Sequence, residues 1–314
     1  MGRFVVRRLA QSAVVLLGVT LVVFLLLQLV PGDPVRIALG TRYDQATYEA
    51  LRARTGLDQP LAVQYVTYVG HALTGDLGVS FRSGQPVTAI VLERLPATVA
   101  LAVFALLFAL LVAFPLGIVS AVRSGSALDH SARIFSQFGV SVPDFWMGIM
   151  GIILFAGVLG WLPPSGYTPF TEDPVEWARH LVLPAMTIGL VTASILTRFI
   201  RSSVLEAMSE DYVRTAEGKG LLPRRVVVRH VLRNALIPVV TVAAVQLASL
   251  LGGVIVIEVL FAWPGVGRLT YDAVQARDYP VLQGAVLFVA ALFLLINLLV
   301  DILYARLDPR ISVR

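Results

Sequence analysis

The chain of 314 residues has no cysteine, a single lysine (Lys219) and little charge of either sign, with Asp, Glu, Lys and Arg together at 14%. Without cysteine it can form no disulfide and offers no thiolate to a metal. Histidine is scarce as well: His71, His130, His180 and His230 are scattered along the chain. No G-x-x-x-x-G-K-[ST], G-x-S-x-G or H-E-x-x-H pattern occurs, so the sequence lacks the loop that cradles nucleotide phosphates, the acyl-transfer elbow and the paired-histidine zinc site. Nothing reads as a catalytic site, and a non-enzymatic chain is expected. Soluble domains carry about a quarter charged residues, so this deficit argues against a water-soluble globule. With 57% hydrophobic residues, disorder is excluded too.

What the sequence has instead is long apolar runs, at 9–30, 97–122, 134–160, 181–200, 235–260 and 281–304. A helix needs about 20 residues to cross the hydrocarbon. The predicted fold is therefore all-α, a polytopic membrane protein with six transmembrane helices. The first run follows Arg3, Arg7 and Arg8 but is too long for a secretory leader and has no small-x-small cleavage site, so it is read as an uncleaved span. The domain reading is 1–30 for the N-terminal end and first span, 31–96 for an external segment, 97–304 for the membrane core with a loop at 203–234, and 305–314 for the tail. Within the external segment, 61–73 has helical periodicity, with Leu61, Tyr65, Tyr68, Val69 and Ala72 on one face and Gly75 placed to stop it.

Sixteen of the 25 basic residues fall on the side of the N-terminus, in short connections, which places both termini in the cytoplasm. Trp161, Trp177 and Trp263 fall in or beside outer connections, where interfacial aromatics belong. This topology splits the histidines between the two sides, so a histidine-built metal site is not expected. Asp144, Glu258 and Asp301 lie near span ends. An ion-driven carrier, the competing reading, calls for ionisable groups at depth or broken helices meeting at the midplane, and neither is visible in the sequence. Along the fourth span Thr187, Ser194 and Thr197 form a stripe with Arg198 and Arg201. Two readings stay open for it: lining of an aqueous path with a basic inner mouth, or hydroxyls bonded to their own backbone in helix packing.

The segment between the fourth and fifth spans carries the most information. Residues 209–220 read as a short capped helix, with Ser209 at the N-cap, Glu210 and Asp211 at its positive end, and Gly218-Lys219-Gly220 at its stop. Pro223 then opens a second helix, along which Arg225, Arg229 and Arg233 recur every four residues. Two back-to-back caps make a helix–turn–helix.

Residues 212–221 and 229–238 resemble the coupling loop of ABC-importer permeases, whose pattern is Glu-Ala-Ala, three residues, Gly, nine residues, Ile-x-Leu-Pro. Ala216, Gly220 and Leu232 match it; Arg214, Thr215, His230 and Arg233 depart from it. The dipeptide/oligopeptide/nickel permease family is matched along nearly the whole chain, at 29–34, 75–80, 141–146, 161–166, 257–261, 264–267 and 308–310. The resemblance implies the type I ABC importer permease fold, with a largely helical external segment after the first span. It also implies a second homologous permease subunit, two ATP-binding subunits and an extracytoplasmic substrate-binding protein. ATP and Mg would be bound by the ATPase subunits and no cofactor by this chain. The ATPase-coupling residues it implies are Tyr212, Arg214, Thr215, Ala216, Glu217, Gly218, Lys219 and Gly220. Peptides are the expected cargo, since the chain has neither cysteine nor clustered histidine; a nickel complex or another small solute is the alternative.

Overall fold

The computed structural model describes residues 2–33, 35–36, 44–54, 56–252 and 254–307. Pro34, the 308–310 motif and the tail after 307 lie outside the described residues. The charge-poor runs become long helices. The first is α1 (Gly2–Leu29), followed by α2 (Gln45–Arg54), α3 (Leu61–Leu73) and α4 (Val87–Val122). Then come α5 (Ala127–Ser141), α6 (Asp144–Gly151) with a π-helical continuation over Ile152–Val158, α7 (Pro174–Met208) and α8 (Asp211–Gly218). Next, α9 (Pro223–Val226) passes through a π stretch at Val227–Val231 into α10 (Leu232–Gly252). The last three are α11 (Ile255–Leu260), α12 (Val266–Ala276) and α13 (Tyr279–Leu307). Among the described residues there is no strand beyond one isolated bridge between Val79 and Pro86.

Among the described residues five helices are long and apolar enough to cross a membrane: Val5–Leu29, Val87–Val122, Pro174–Met208, Pro223–Gly252 and Tyr279–Ile302. The sixth crossing exists only if α5 and α6 with its π continuation count as one span, and they are bent by 102°. The continuous third span expected at 134–160 is therefore corrected to a broken one. The cause is local: Pro143 disfavours helical backbone at the residue before it, and Val142 is extended at φ −89°, ψ 129°. This is one broken helix, a different arrangement from the pair of broken helices meeting at the midplane that an ion-driven carrier calls for. Two further boundaries move. α4 starts at residue 87 rather than 97, because Val87 and Val91 are buried and hold the added turns in place. The fifth span ends at Gly252, in a Gly252-Gly253 pair, and Glu258 belongs to the separate α11.

The chain divides into two compact units. One comprises residues 1–99 and 251–298. Its core packs Leu77, Val87 and Val91 against Val266, Ala273, Val281 and Ala285. The turn before α4 is tied to the one before α13: Ser80 Oγ donates to Asp278 Oδ2 at 2.5 Å and the Phe81 amide donates to Asp278 Oδ1 at 3.1 Å. Trp263, expected at an interface, is instead fully buried and donates its Nε1–H to the Ala97 carbonyl at 2.8 Å.

The other unit comprises residues 100–250 and 299–314. Its core joins Ala109 and Ala113 of α4, Leu196, Ile200 and Val204 of α7, and Val239 and Ala243 of α10. Local signals set its helix starts. Asp173 accepts from the amides of Val175 and Glu176, with Pro174 as the first residue of α7. Ser126 accepts from the Asp129 amide at the head of α5.

Candidate coupling site

α8 is two turns long, and a helix so short does not persist in water on propensity alone. Packing holds it. Val213 and Ala216, three residues apart on one face, are buried in the same cluster as Val204 and Ala207 of α7 and Val226 and Val231 of the next limb. Burying the valine contributes about 1.5–3 kcal/mol. The opposite face, with Tyr212, Arg214, Thr215 and Glu217, is exposed, as are Gly218, Lys219 and Gly220 beyond it.

The stop of α8 is a Schellman turn. Gly220 is left-handed at φ +74°. Its amide donates to the Glu217 carbonyl at 2.8 Å and the Leu221 amide donates to the Ala216 carbonyl at 3.4 Å. Leu221 packs on the cluster that contains Ala216. These two bonds satisfy carbonyls that the helix end would otherwise leave unpaired. No atom stands within 4 Å of a Cβ built on Gly220, so the glycine is required for its backbone angle and not for space. Leu222 then turns the chain, and Pro223 occupies the first turn of α9.

The helix–turn–helix expected from the two sets of caps is present, with one correction. Ser209 does not cap α8. It ends α7, its hydroxyl donating back to the Glu206 carbonyl at 2.7 Å, while Glu210 stands at the start of α8 without a side-chain cap. The carboxylate of Asp211 lies 3.9 Å from the Arg214 guanidinium on the exposed side. On the second limb Arg224, Arg225, Arg229 and Arg233 are all exposed, and the sequence holds no acidic residue between Glu217 and Glu258. The site presents a small mixed-charge helix beside a basic one.

Of the eight residues expected to couple, seven share this exposed surface, while Ala216 faces inward as part of the anchor. The α7 stripe is placed differently. Thr187, Ser194 and Thr197 are 4, 0 and 1% exposed. The Thr187 hydroxyl donates to the Leu183 carbonyl at 2.8 Å and that of Ser194 to Leu190 at 2.9 Å. Gly139 of α5 lies so close to Ser194 that any β-carbon there would overlap its hydroxyl. Arg201, read as part of a basic mouth, is bound to Asp129 instead: Nε donates to Oδ1 at 2.7 Å and Nη2 to Oδ2 at 3.0 Å. Ser120 Oγ and the Gly125 amide also donate to that carboxylate.

Sequence reasoning passed over this ion pair, whose partners are 72 residues apart. It also placed Glu258 near a span end without foreseeing that its carboxylate is buried. Glu258 accepts from the Thr98 hydroxyl at 2.9 Å and from the Arg268 amide at 2.8 Å, while Thr98 accepts from the Val266 amide at 2.8 Å. Glu258 and Thr98 thereby cap α12 from outside its own helix, and Gly265 and Gly267 leave room for the carboxylate.

The sequence matches two family patterns: the N-terminal region of binding-protein-dependent transport system membrane components over residues 1–102, and the inner membrane component itself over residues 113–313. A putative peptide transport system permease protein of Brucella abortus is 43% identical over 311 residues, 99% of each chain. The dipeptide transport system permease protein DppB of Escherichia coli is 41% identical over 335 aligned positions, again 99% of each chain. Among solved structures, an inward-facing MetNI methionine ABC transporter matches with a TM-score of 0.57 at 17% identity, covering 70% of this chain and 96% of that one. That likeness shows the fold. With the helices, the two-limbed loop and the full-length relatives in agreement, this chain belongs to the binding-protein-dependent inner membrane components, the permease subunits of ABC importers.

Proposed function

We propose that this chain forms half of the translocation pathway of an ATP-driven importer of di- or oligopeptides. An extracytoplasmic binding protein delivers the cargo, a second homologous permease subunit completes the path, and two ATPase subunits with ATP and Mg drive it. Both termini face the cytoplasm. The ATPases dock on Tyr212, Arg214, Thr215 and Glu217 of α8 and on 218–220 after it. The observation that carries this reading is the anchoring of α8 by Val213 and Ala216 in one core with α4, α7 and α10. A push on the exposed face is then transmitted to the spans as a rigid displacement. Such a switch needs two states within a few kcal/mol, each favoured by a different ligation state.

Ion-coupled carriage is disfavoured on chemical grounds. Among the described residues Asp129, Glu258 and Asp278, the buried carboxylates on or beside the spans, are each held by several donors, so none is free to ferry an ion. Peptide as cargo is supported by what the full-length relatives are named for. The test is uptake into proteoliposomes holding both permeases and both ATPases, with binding protein outside. Labelled dipeptide entering only with ATP inside supports the reading. Entry of nickel without peptide would reassign the cargo, and entry driven by an ion gradient without ATP would overturn the class.

A further inference from the structure

The segment between α1 and α4 reads as external, yet part of it sits beside the interior of a span. Tyr65 of α3 hydrogen-bonds through its hydroxyl to the Leu17 carbonyl and to Thr20 Oγ1, each at 3.1 Å. Its ring lies 5.5 Å from that of Phe24, centroid to centroid. The span in α1 ends at Leu29. At 1.5 Å per residue, Thr20 and Leu17 lie about 14 and 18 Å inward from that end, near the middle of a hydrocarbon core about 30 Å thick. Among the described residues of α1, Thr20, Phe24 and Leu27, at helical spacing, are the buried ones, and Tyr65 meets the first two.

The composition of α3 fits that depth. From Gln59 to Gly75 the sequence has no Asp, Glu, Lys or Arg and one histidine, His71, while Asp58 and Asp76 flank the run. At 13 residues α3 is too short to span. None of its residues is buried. Ala62, Val66, Gly70 and Leu73 fall within an 80° arc at 100° per residue and are all exposed, Val66 at 68% and Leu73 at 85%. This arc borders the side that carries Tyr65, and α1 likewise exposes Val14, Leu21, Val22 and Leu25. In water such a surface is unfavourable; against acyl chains it is not.

We propose that α3 is a membrane-embedded helix, lying in one leaflet beside the second half of α1, with Ala62, Val66, Gly70 and Leu73 against lipid. The Tyr65 hydroxyl, which would be costly to leave unpaired in hydrocarbon, is satisfied by the Leu17 carbonyl. α3 is then an anchor that fixes the segment before α4 to the bilayer, and the aqueous part of that segment is confined to the residues outside it. The proposal does not depend on which cargo is carried or on which side the termini lie.

The native absence of cysteine gives a direct test. Spin labels on Val66→Cys, Leu73→Cys and Asp58→Cys are read for collisional access to oxygen and to a water-soluble nickel chelate, in the assembled transporter in nanodiscs with and without its binding protein. Labels at 66 and 73 are expected to favour oxygen over the chelate by severalfold, as does a reference label on Leu21→Cys, with the reverse at 58. Chelate access at 66 and 73 equal to that at 58 would place α3 in water and overturn the proposal. Low access to both reagents that rises when the binding protein is removed would also overturn it, by showing a protein cover. Transport by each labelled variant serves as the control for folding.

Discussion

Arg201 grips Asp129 with two hydrogen bonds, Nε to Oδ1 at 2.7 Å and Nη2 to Oδ2 at 3.0 Å, and the carboxylate is sealed from solvent. The pair ties α7 to the start of α5, and Ser120 adds the end of α4. Removing one partner leaves the other charge partly buried and alone, a loss of about 3–5 kcal/mol for fully buried pairs and less here because Arg201 keeps some exposure. Asp129→Ala should lower the apparent melting temperature of the purified complex and its membrane level. Arg201→Lys should recover only part of the stability, since an ammonium cannot make the two-pronged contact. Wild-type melting in Asp129→Ala would show that the pair is dispensable.

Gly265→Ala tests the second buried carboxylate. A β-carbon there overlaps the Glu258 carboxylate, so the cradle must open, at a cost of about 1–3 kcal/mol as for other overpacked sites. Glu258→Gln keeps the volume and one of the two acceptor oxygens, so it tests the loss of a single hydrogen bond without added bulk and should be milder. Protease resistance of the 255–276 region reports the difference. Equal resistance in Gly265→Ala and the native chain would contradict the geometry.

Single cysteines at Thr187, Ser194 and Thr197 separate path lining from packing. Their burial predicts no reaction with a water-soluble thiol reagent in this arrangement, whereas exposed Arg198→Cys should react within the same time. Labelling at 194 that appears only on adding ATP would show that α7 exposes this face in another state.

Periodicity and end signals made the long helices, Pro223 and the Gly220 stop readable, because each is decided within a few residues of itself. The break at Val142-Pro143 was equally local; a hydropathy average over the run passes over the restriction that a proline places on its predecessor. The buried networks are another matter. Thr98 and Glu258 are separated by 160 residues, Ser80 and Asp278 by 198, and no spacing rule connects them. Trp263 was misread for the same reason: a tryptophan near a span end suits an interface, and only the Ala97 carbonyl reveals that it is core. In the coupling loop the face was legible but its anchor was not, since Ala216 matches the family pattern while its side chain points into the cluster.

In the proposed mechanism α8 transmits the ATPase stroke through a geometry fixed by Gly220. Valine at 220 meets no atom but must adopt a left-handed backbone, costing about 1–2 kcal/mol; asparagine tolerates that conformation and should be nearly neutral. Glu217→Ala, on the exposed face, should weaken docking only modestly. The spans, held by their own backbone bonds in lipid, should insert normally in all three. The decisive measurement is substrate-stimulated ATP hydrolysis by the reconstituted transporter, with membrane level and ATPase co-purification measured alongside. Gly220→Val is expected at native membrane level with co-purification weakened and stimulation lost, and Gly220→Asn with both largely kept. Native stimulation in Gly220→Val, at equal protein level, would mean that the coupling site lies elsewhere.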